Sequence, residues 1–214
     1  MSDTNNDRLE SLDEQLILMA DLAGQAIQSA TQALLNDDLA LAEQVIAGDS
    51  RINELNVSVE RLCFLISTMQ APMAGDLRRV VGGLKIASSL ERMGDLAVHI
   101  AKQVRIRYPR PSIPAELKDI FGQMGKAASD IVAETGRVLS TKDPSLKVKI
   151  IDYDNFLDQQ HRLLFAVVLD DNWSYGVEAA IDVTLLSRFY ERFGDHAVSV
   201  ARRVAHVVTG EPYA

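Results

Sequence analysis

The stretch Glu91-Arg92-Met93-Gly94-Asp95-Leu96-Ala97-Val98-His99-Ile100-Ala101-Lys102-Gln103-Val104 returns one hundred residues later as Glu191-Arg192-Phe193-Gly194-Asp195-His196-Ala197-Val198-Ser199-Val200-Ala201-Arg202-Arg203-Val204. Eight of the fourteen positions are identical (Glu, Arg, Gly, Asp, Ala, Val, Ala and Val), where composition alone gives roughly one. A self-match at a fixed offset marks a duplicated structural unit. Gly94, Ala97, Ala101 and Val104 stand three and four apart, the period of a helix, and the second copy keeps the same spacing.

Working back from the first copy, Val80, Leu84, Ala87 and Leu90 extend that helix to about residues 75–107. Leu9, Leu12, Leu16, Met19, Ala23, Ile27, Ala30 and Leu34 predict an amphipathic helix over 7–35, which stops near Asn36-Asp37-Asp38. A second helix carries Leu41, Val45, Ile52, Leu55, Val59, Leu62 and Ile66 before Pro72 closes it. After Tyr108-Pro109-Arg110-Pro111-Ser112-Ile113-Pro114, too rich in proline for a helix, the plan repeats. A helix over 115–140 is followed by the cap signal Asp143-Pro144, a helix to about Leu169, a break at Asp170-Asp171-Asn172 and a last helix over 174–208. No segment alternates with period two for long enough to demand a strand. The expected fold is all-α: six long antiparallel helices forming two three-helix bundles in tandem, 1–108 and 115–214, joined and hinged at a connector, 109–114.

Composition agrees. The 214 residues are 47% hydrophobic but only 6% aromatic, as in Ala- and Leu-rich helical packing. A net charge of -8 argues against nucleic-acid binding through a global positive field. The single cysteine, Cys63, excludes an internal disulfide and a cysteine-based zinc cage, and reads as a small buried hydrophobe. The polar start, Met1 to Glu10, carries no signal peptide, and the longest apolar run, Leu163 to Leu169, is too short to span a bilayer, so a cytoplasmic location is expected.

The retained residues are chemically specific. Glu91 and Asp95, and likewise Glu191 and Asp195, lie four apart on one helix face, at the edge of the apolar stripe, where two negative charges repel unless a cation, a proton or an arginine neutralises them. Arg92 and Arg192, about 100° away around the helix, are expected to pair elsewhere. Gly94 and Gly194 cost helix propensity and so point to close approach by a neighbouring helix. The middle helix of the second half offers another pair, Asp154 and Asp158, whose first-half counterparts are Asp49 and Asn53. Two such pairs from adjacent helices form an oxygen-ligand cluster suited to hard or borderline divalent and trivalent cations. His99 and His161 stand within reach as nitrogen ligands but fit ordinary boundary histidines better. One acidic pair alone is most often a solvated face, and the repetition is what singles these out. The basic ends Lys102, Arg105, Arg107, Arg202 and Arg203 most simply complement the helix dipoles, and Arg78, Arg79 and Lys85 read as solvated surface open to an acidic partner.

Two copies of Glu-Arg-x-Gly-Asp-x-Ala-Val-x-(Ile/Val)-Ala, each closing a three-helix unit, resemble the PhoU family, cytoplasmic accessory proteins of the phosphate-specific ABC transporter. Asp76-Leu77-Arg78 after Gln70-Ala71-Pro72 is similar to that family's lead-in to its third helix. The resemblance implies a negative regulator of the phosphate-starvation response that modulates phosphate uptake. It would contact a PhoR-like sensor histidine kinase and a PstB-like transporter ATPase, with peripheral membrane association at most. It also implies multinuclear iron or zinc on the acidic pairs: Asp49, Asn53, Glu91 and Asp95 in the first site, Asp154, Asp158, Glu191 and Asp195 in the second. Asn53 departs from the pattern, which makes the first site the weaker. A homodimer is the expected assembly.

Two other functions fit a helical bundle. A di-iron carboxylate enzyme of the ferritin-like kind needs Glu-x-x-His on two helices, a spacing absent here; Asp158-Gln159-Gln160-His161 comes nearest, once. There is no Gly-rich phosphate loop, nucleophile elbow or Cys–His pair. A metal-free helical adaptor, whose acidic strip meets a basic partner, is the remaining alternative.

Overall fold

The computed structural model describes residues 2–68 and 74–211. Six helices carry the fold: α1 (Ser2–Asn36), α2 (Leu39–Ser67), α3 (Ala74–Arg107), α4 (Lys118–Thr141), α5 (Lys147–Val168) and α6 (Gly176–Thr209), with one-turn 3₁₀ segments at Ala115–Leu117 and Pro144–Leu146. No strand occurs among the described residues. Pro72, expected to close the second helix, lies outside the described residues; the helix already ends at Ser67, capped by Thr68.

The stripe read on α1 is buried in full, from Leu9 to Leu34 at 2% exposure or less. Enclosing an Ile or Leu such as Ile27 or Leu34 contributes roughly 1.5–3 kcal/mol. Asp37, at positive φ, turns the chain, and the Asp38 side chain accepts the Leu41 N–H to start α2. Asp143 likewise accepts from Ser145 ahead of α5. Leu84 departs from its predicted place and faces solvent.

Within each half the three helices pack on one another, and the halves join through α1 against α4 and α3 against α6. Helices α2 and α5 lie outermost. One continuous apolar cluster draws on all six helices. At the seam, the Thr31 and Tyr190 hydroxyls share a hydrogen bond of 2.8 Å in the core, and Thr31 fills the space that a side chain on Gly125 would need. The ends of α3 and α6 are opposed. Gly82 faces Val207 and Gly210 faces Arg78 at one end, and Arg107 meets Asp182 at the other. The pair is therefore antiparallel, and the two units are related by an approximate two-fold axis at its centre.

Arg107 was expected to complement the end of its own helix. Instead it crosses the seam, donating to Asp182 at 2.8 Å and pairing with Glu178. Asp182, 4% exposed, is among the few buried charged groups, so this ion pair joins the halves where water is scarce. Cys63 is buried as expected. Its Sγ lies 3.6 Å from the Val80 carbonyl, and burial pushes the thiol up to about 11, far from thiolate chemistry.

Candidate carboxylate sites on the duplicated helices

The antiparallel crossing brings the two copies of the motif side by side. His99 stacks on Phe189 with ring centroids 5.2 Å apart, so residues 91–99 of α3 run past 189–196 of α6. Each motif turns one face to this crossing and another to the middle helix of its own half. The glycines make the second approach close. A Cβ on Gly194 would stand 2.6 Å from Asp154 Oδ1, and one on Gly94 would stand 2.8 Å from Ile52 Cδ1 and 3.4 Å from Asp49 Oδ1. Asp49 and Asp154 thus rest over bare helix backbone beside Glu91/Asp95 and Glu191/Asp195.

Four carboxylates crowd the second site. Burial, then the charges of Asp195, Asp158 and Glu191, raises the Asp154 carboxyl from 3.8 to about 6, with Arg202 opposing. Glu191, buried at 9% exposure, is raised by burial and by Asp195, while Arg188, one turn back, pairs with it and offsets part of the cost. The buried oxygens Asp154 Oδ1 and Glu191 Oε2 receive no hydrogen bond, an expensive state for a carboxylate. Asp158 is half-buried and Asp195 exposed.

The first site is quieter. Asn53 Nδ2 donates to Asp49 Oδ2 at 2.8 Å, which leaves Asp49 Oδ1 without a donor. Arg92, expected to pair away from the motif, bridges it: 2.9 Å to Asp95 and 3.6 Å to Glu91. Arg92 and Asp95 are three apart and so neighbours on the helix surface, and the long arginine side chain also reaches back across the 100° step to Glu91, so the angular argument fails. Glu91 is still raised, by burial first and then by Asp95, with Arg92 opposing and Asp49 adding to the rise.

The histidines serve other contacts. His99 is exposed and stacked on Phe189. His161 Nδ1 shares a 2.8 Å hydrogen bond with the Ser187 hydroxyl, and its ring meets the edge of Phe165. Among the described residues no three acidic, histidine or cysteine side chains close to ion-holding distance. Each motif and its middle-helix partner are brought together, with carboxylates adjacent rather than converged.

A duplicated three-helix unit with acidic pairs on its last two helices defines a class of tandem helical-bundle proteins. The PhoU domain model matches the chain twice, over residues 16–104 and 121–204. The chain belongs to the PhoU family. It is 45% identical over 205 residues to the phosphate-specific transport system accessory protein PhoU homolog 2 of Mycobacterium tuberculosis, covering 96% of each chain. It is 36% identical to the PhoU homolog of Aquifex aeolicus, covering 86% of this chain and 83% of that one. The crystal structure of the phosphate transport system regulatory protein PhoU from Streptococcus pneumoniae superposes with a TM-score of 0.86 at 25% identity, over 97% of this chain and 98% of that one.

Proposed function

We propose that this chain is a cytoplasmic negative regulator of the phosphate-starvation response and modulates phosphate uptake by contact with a PstB-like transporter ATPase and a PhoR-like sensor histidine kinase. The observation that carries this is the near full-length match, through both units, to proteins named as accessory to phosphate-specific transport. No described helix is long and apolar enough to cross a membrane, which suits a peripheral partner of a membrane complex. The role is one of binding rather than catalysis, in two duplicate units divided at 109–114, and a homodimer is the proposed assembly.

Iron or zinc belongs to this proposal. The second site fits such a cation in its donor chemistry: an all-oxygen set with two buried oxygens lacking donors. Asp154, Asp158, Glu191 and Asp195 would hold it, and the charge it supplies would relieve their repulsion. The first site, with Asn53 in place of a carboxylate and Arg92 across its motif, is the weaker.

Deletion of the gene, together with any second copy, should make phosphate-uptake genes constitutive in rich phosphate. An unchanged response would defeat the regulatory reading. Tag-free protein should co-purify with the transporter ATPase and the kinase. Elemental analysis should find iron or zinc that an Asp154→Asn, Asp195→Asn double variant loses; equal content in both would remove the metal from the proposal.

A further inference from the structure

Beside the second site runs a groove of about 550 Å³, lined by Lys85 of α3, Asp154 of α5, and Asp195, Ser199, Arg202 and Arg203 of α6. Helices α3 and α5 each pack on α6 without packing on one another, so the groove follows α6 between them. Its charges are unlike those of the cavity at the seam, where Arg107, Arg110 and Lys118 all have carboxylate partners in Glu178, Asp182 or Asp37. Here, among the described residues, Lys85 and Arg202 have no carboxylate within 4.0 Å, although two carboxylates line the same groove and Arg202 acts on Asp154 from longer range.

Divergence between the units points the same way. At an offset of one hundred, the places of Lys85, Ser199, Arg202 and Arg203 are held by Leu185, His99, Lys102 and Gln103. Three fixed positive charges in one copy become one in the other, within a helix pair whose motif is otherwise retained.

We propose that this groove binds orthophosphate. Lys85 and Arg202 supply charged donors, the Ser199 hydroxyl a neutral one, and Arg203 further positive field. The carboxylates decide which oxyanion fits. Near neutral pH orthophosphate always carries at least one P–OH group, and Asp195 can accept its proton in a hydrogen bond. Sulfate has no proton to offer and meets only repulsion there. The site goes beyond the regulatory role proposed above and does not depend on it, so its failure would leave the gene-expression result untouched.

Calorimetric titration of the chelator-treated, full-length protein at neutral pH and low salt tests this, using inorganic phosphate, sulfate and phosphatidylglycerol vesicles in separate arms. Saturable phosphate binding is expected with Kd below about 1 mM, and sulfate about tenfold weaker or more. Lys85→Gln and Arg202→Gln should each weaken phosphate binding about tenfold. Asp195→Asn should narrow the gap between phosphate and sulfate, and Lys102→Gln, at the equivalent place in the first unit, should bind like the wild type. Lys85, Asp195 and Arg202 are exposed and Lys102 is half-buried, and a cooperative unfolding transition in each variant verifies that it folds. Absence of phosphate binding, equal binding of sulfate, indifference to Lys85→Gln and Arg202→Gln, or binding confined to the vesicles would each overturn the proposal.

Discussion

Asp154→Asn is expected to stabilise the metal-free protein near neutral pH and to leave it unchanged in acid. Burial, followed by the charges of Asp195, Asp158 and Glu191, lifts the Asp154 carboxyl from 3.8 to about 6. A rise of that size penalises the charged form by roughly 3 kcal/mol. Water around a half-buried group screens this to about 1–2 kcal/mol. Because the carboxyl is raised in the fold, the folded state holds a proton that the unfolded chain has already released. The wild type therefore has its full stability below about pH 4 and loses about 1–2 kcal/mol as the pH climbs through about 6. Asparagine has no proton to lose. The variant should match the wild type near pH 4 and melt roughly 3–6 °C higher above about pH 7, given the unfolding entropy of a chain this long. Scanning calorimetry of chelator-treated protein across that pH range reads both limbs. A gain of the same size at every pH, or none at neutral pH, would refute the argument that carboxylate crowding destabilises this site.

Further substitutions probe the packing. Gly194→Ala sets a methyl 2.6 Å from Asp154 Oδ1 and 3.0 Å from Leu157 Cδ1, two tight contacts on one methyl, so an overpacking cost of about 1–3 kcal/mol should outweigh the ~1 kcal/mol gained in helix propensity; Gly94→Ala is crowded at one point, 2.8 Å from the end of Ile52, and should be close to neutral, and equal urea midpoints for the two would contradict this. Asp182→Asn leaves the shielded Arg107 guanidinium short of its buried partner and should cost about 2–3 kcal/mol in urea unfolding, whereas loss of the exposed Arg51–Glu54 pair should not register. Tyr190→Phe removes the core hydrogen bond to Thr31 and should cost about 1–1.5 kcal/mol, a figure that a Thr31→Val, Tyr190→Phe double-mutant cycle would isolate.

The helices and the acidic pairs were legible because both rest on short-range spacing. Leu9 to Leu34, three and four apart, can hide from water only along one helical stripe, and they do. Adjacency of Asp154 to Glu191 and Asp195 also followed, since the duplicated Asp/Glu spacing told which faces had to meet. What Gly194 does was only half legible. Close approach could be read from the missing side chain, but the atom that approaches, Asp154 Oδ1, depends on the register of α5 on α6. Arg92 was misread because angle around a helix was weighed without the reach of a guanidinium. The Arg107–Asp182 pair spans 75 residues and belongs to the packing of one half on the other. One signal existed: Asp182 stands four before Leu186 and eight before Tyr190, a carboxylate in the middle of an apolar stripe.

The approximate two-fold relation across α3 and α6 is the geometry that two separate three-helix chains would adopt as a symmetric dimer. The segment 109–114 turns that encounter into an intramolecular one, so the joined state no longer depends on how much protein the cell makes. It also frees the halves from sameness. In a true dimer any change at one site appears in both, whereas a fused pair can place Asn53 opposite Asp158 and Lys85 opposite Leu185. Covalent linkage thus lets the two halves of one molecule diverge independently while their packing against each other is kept.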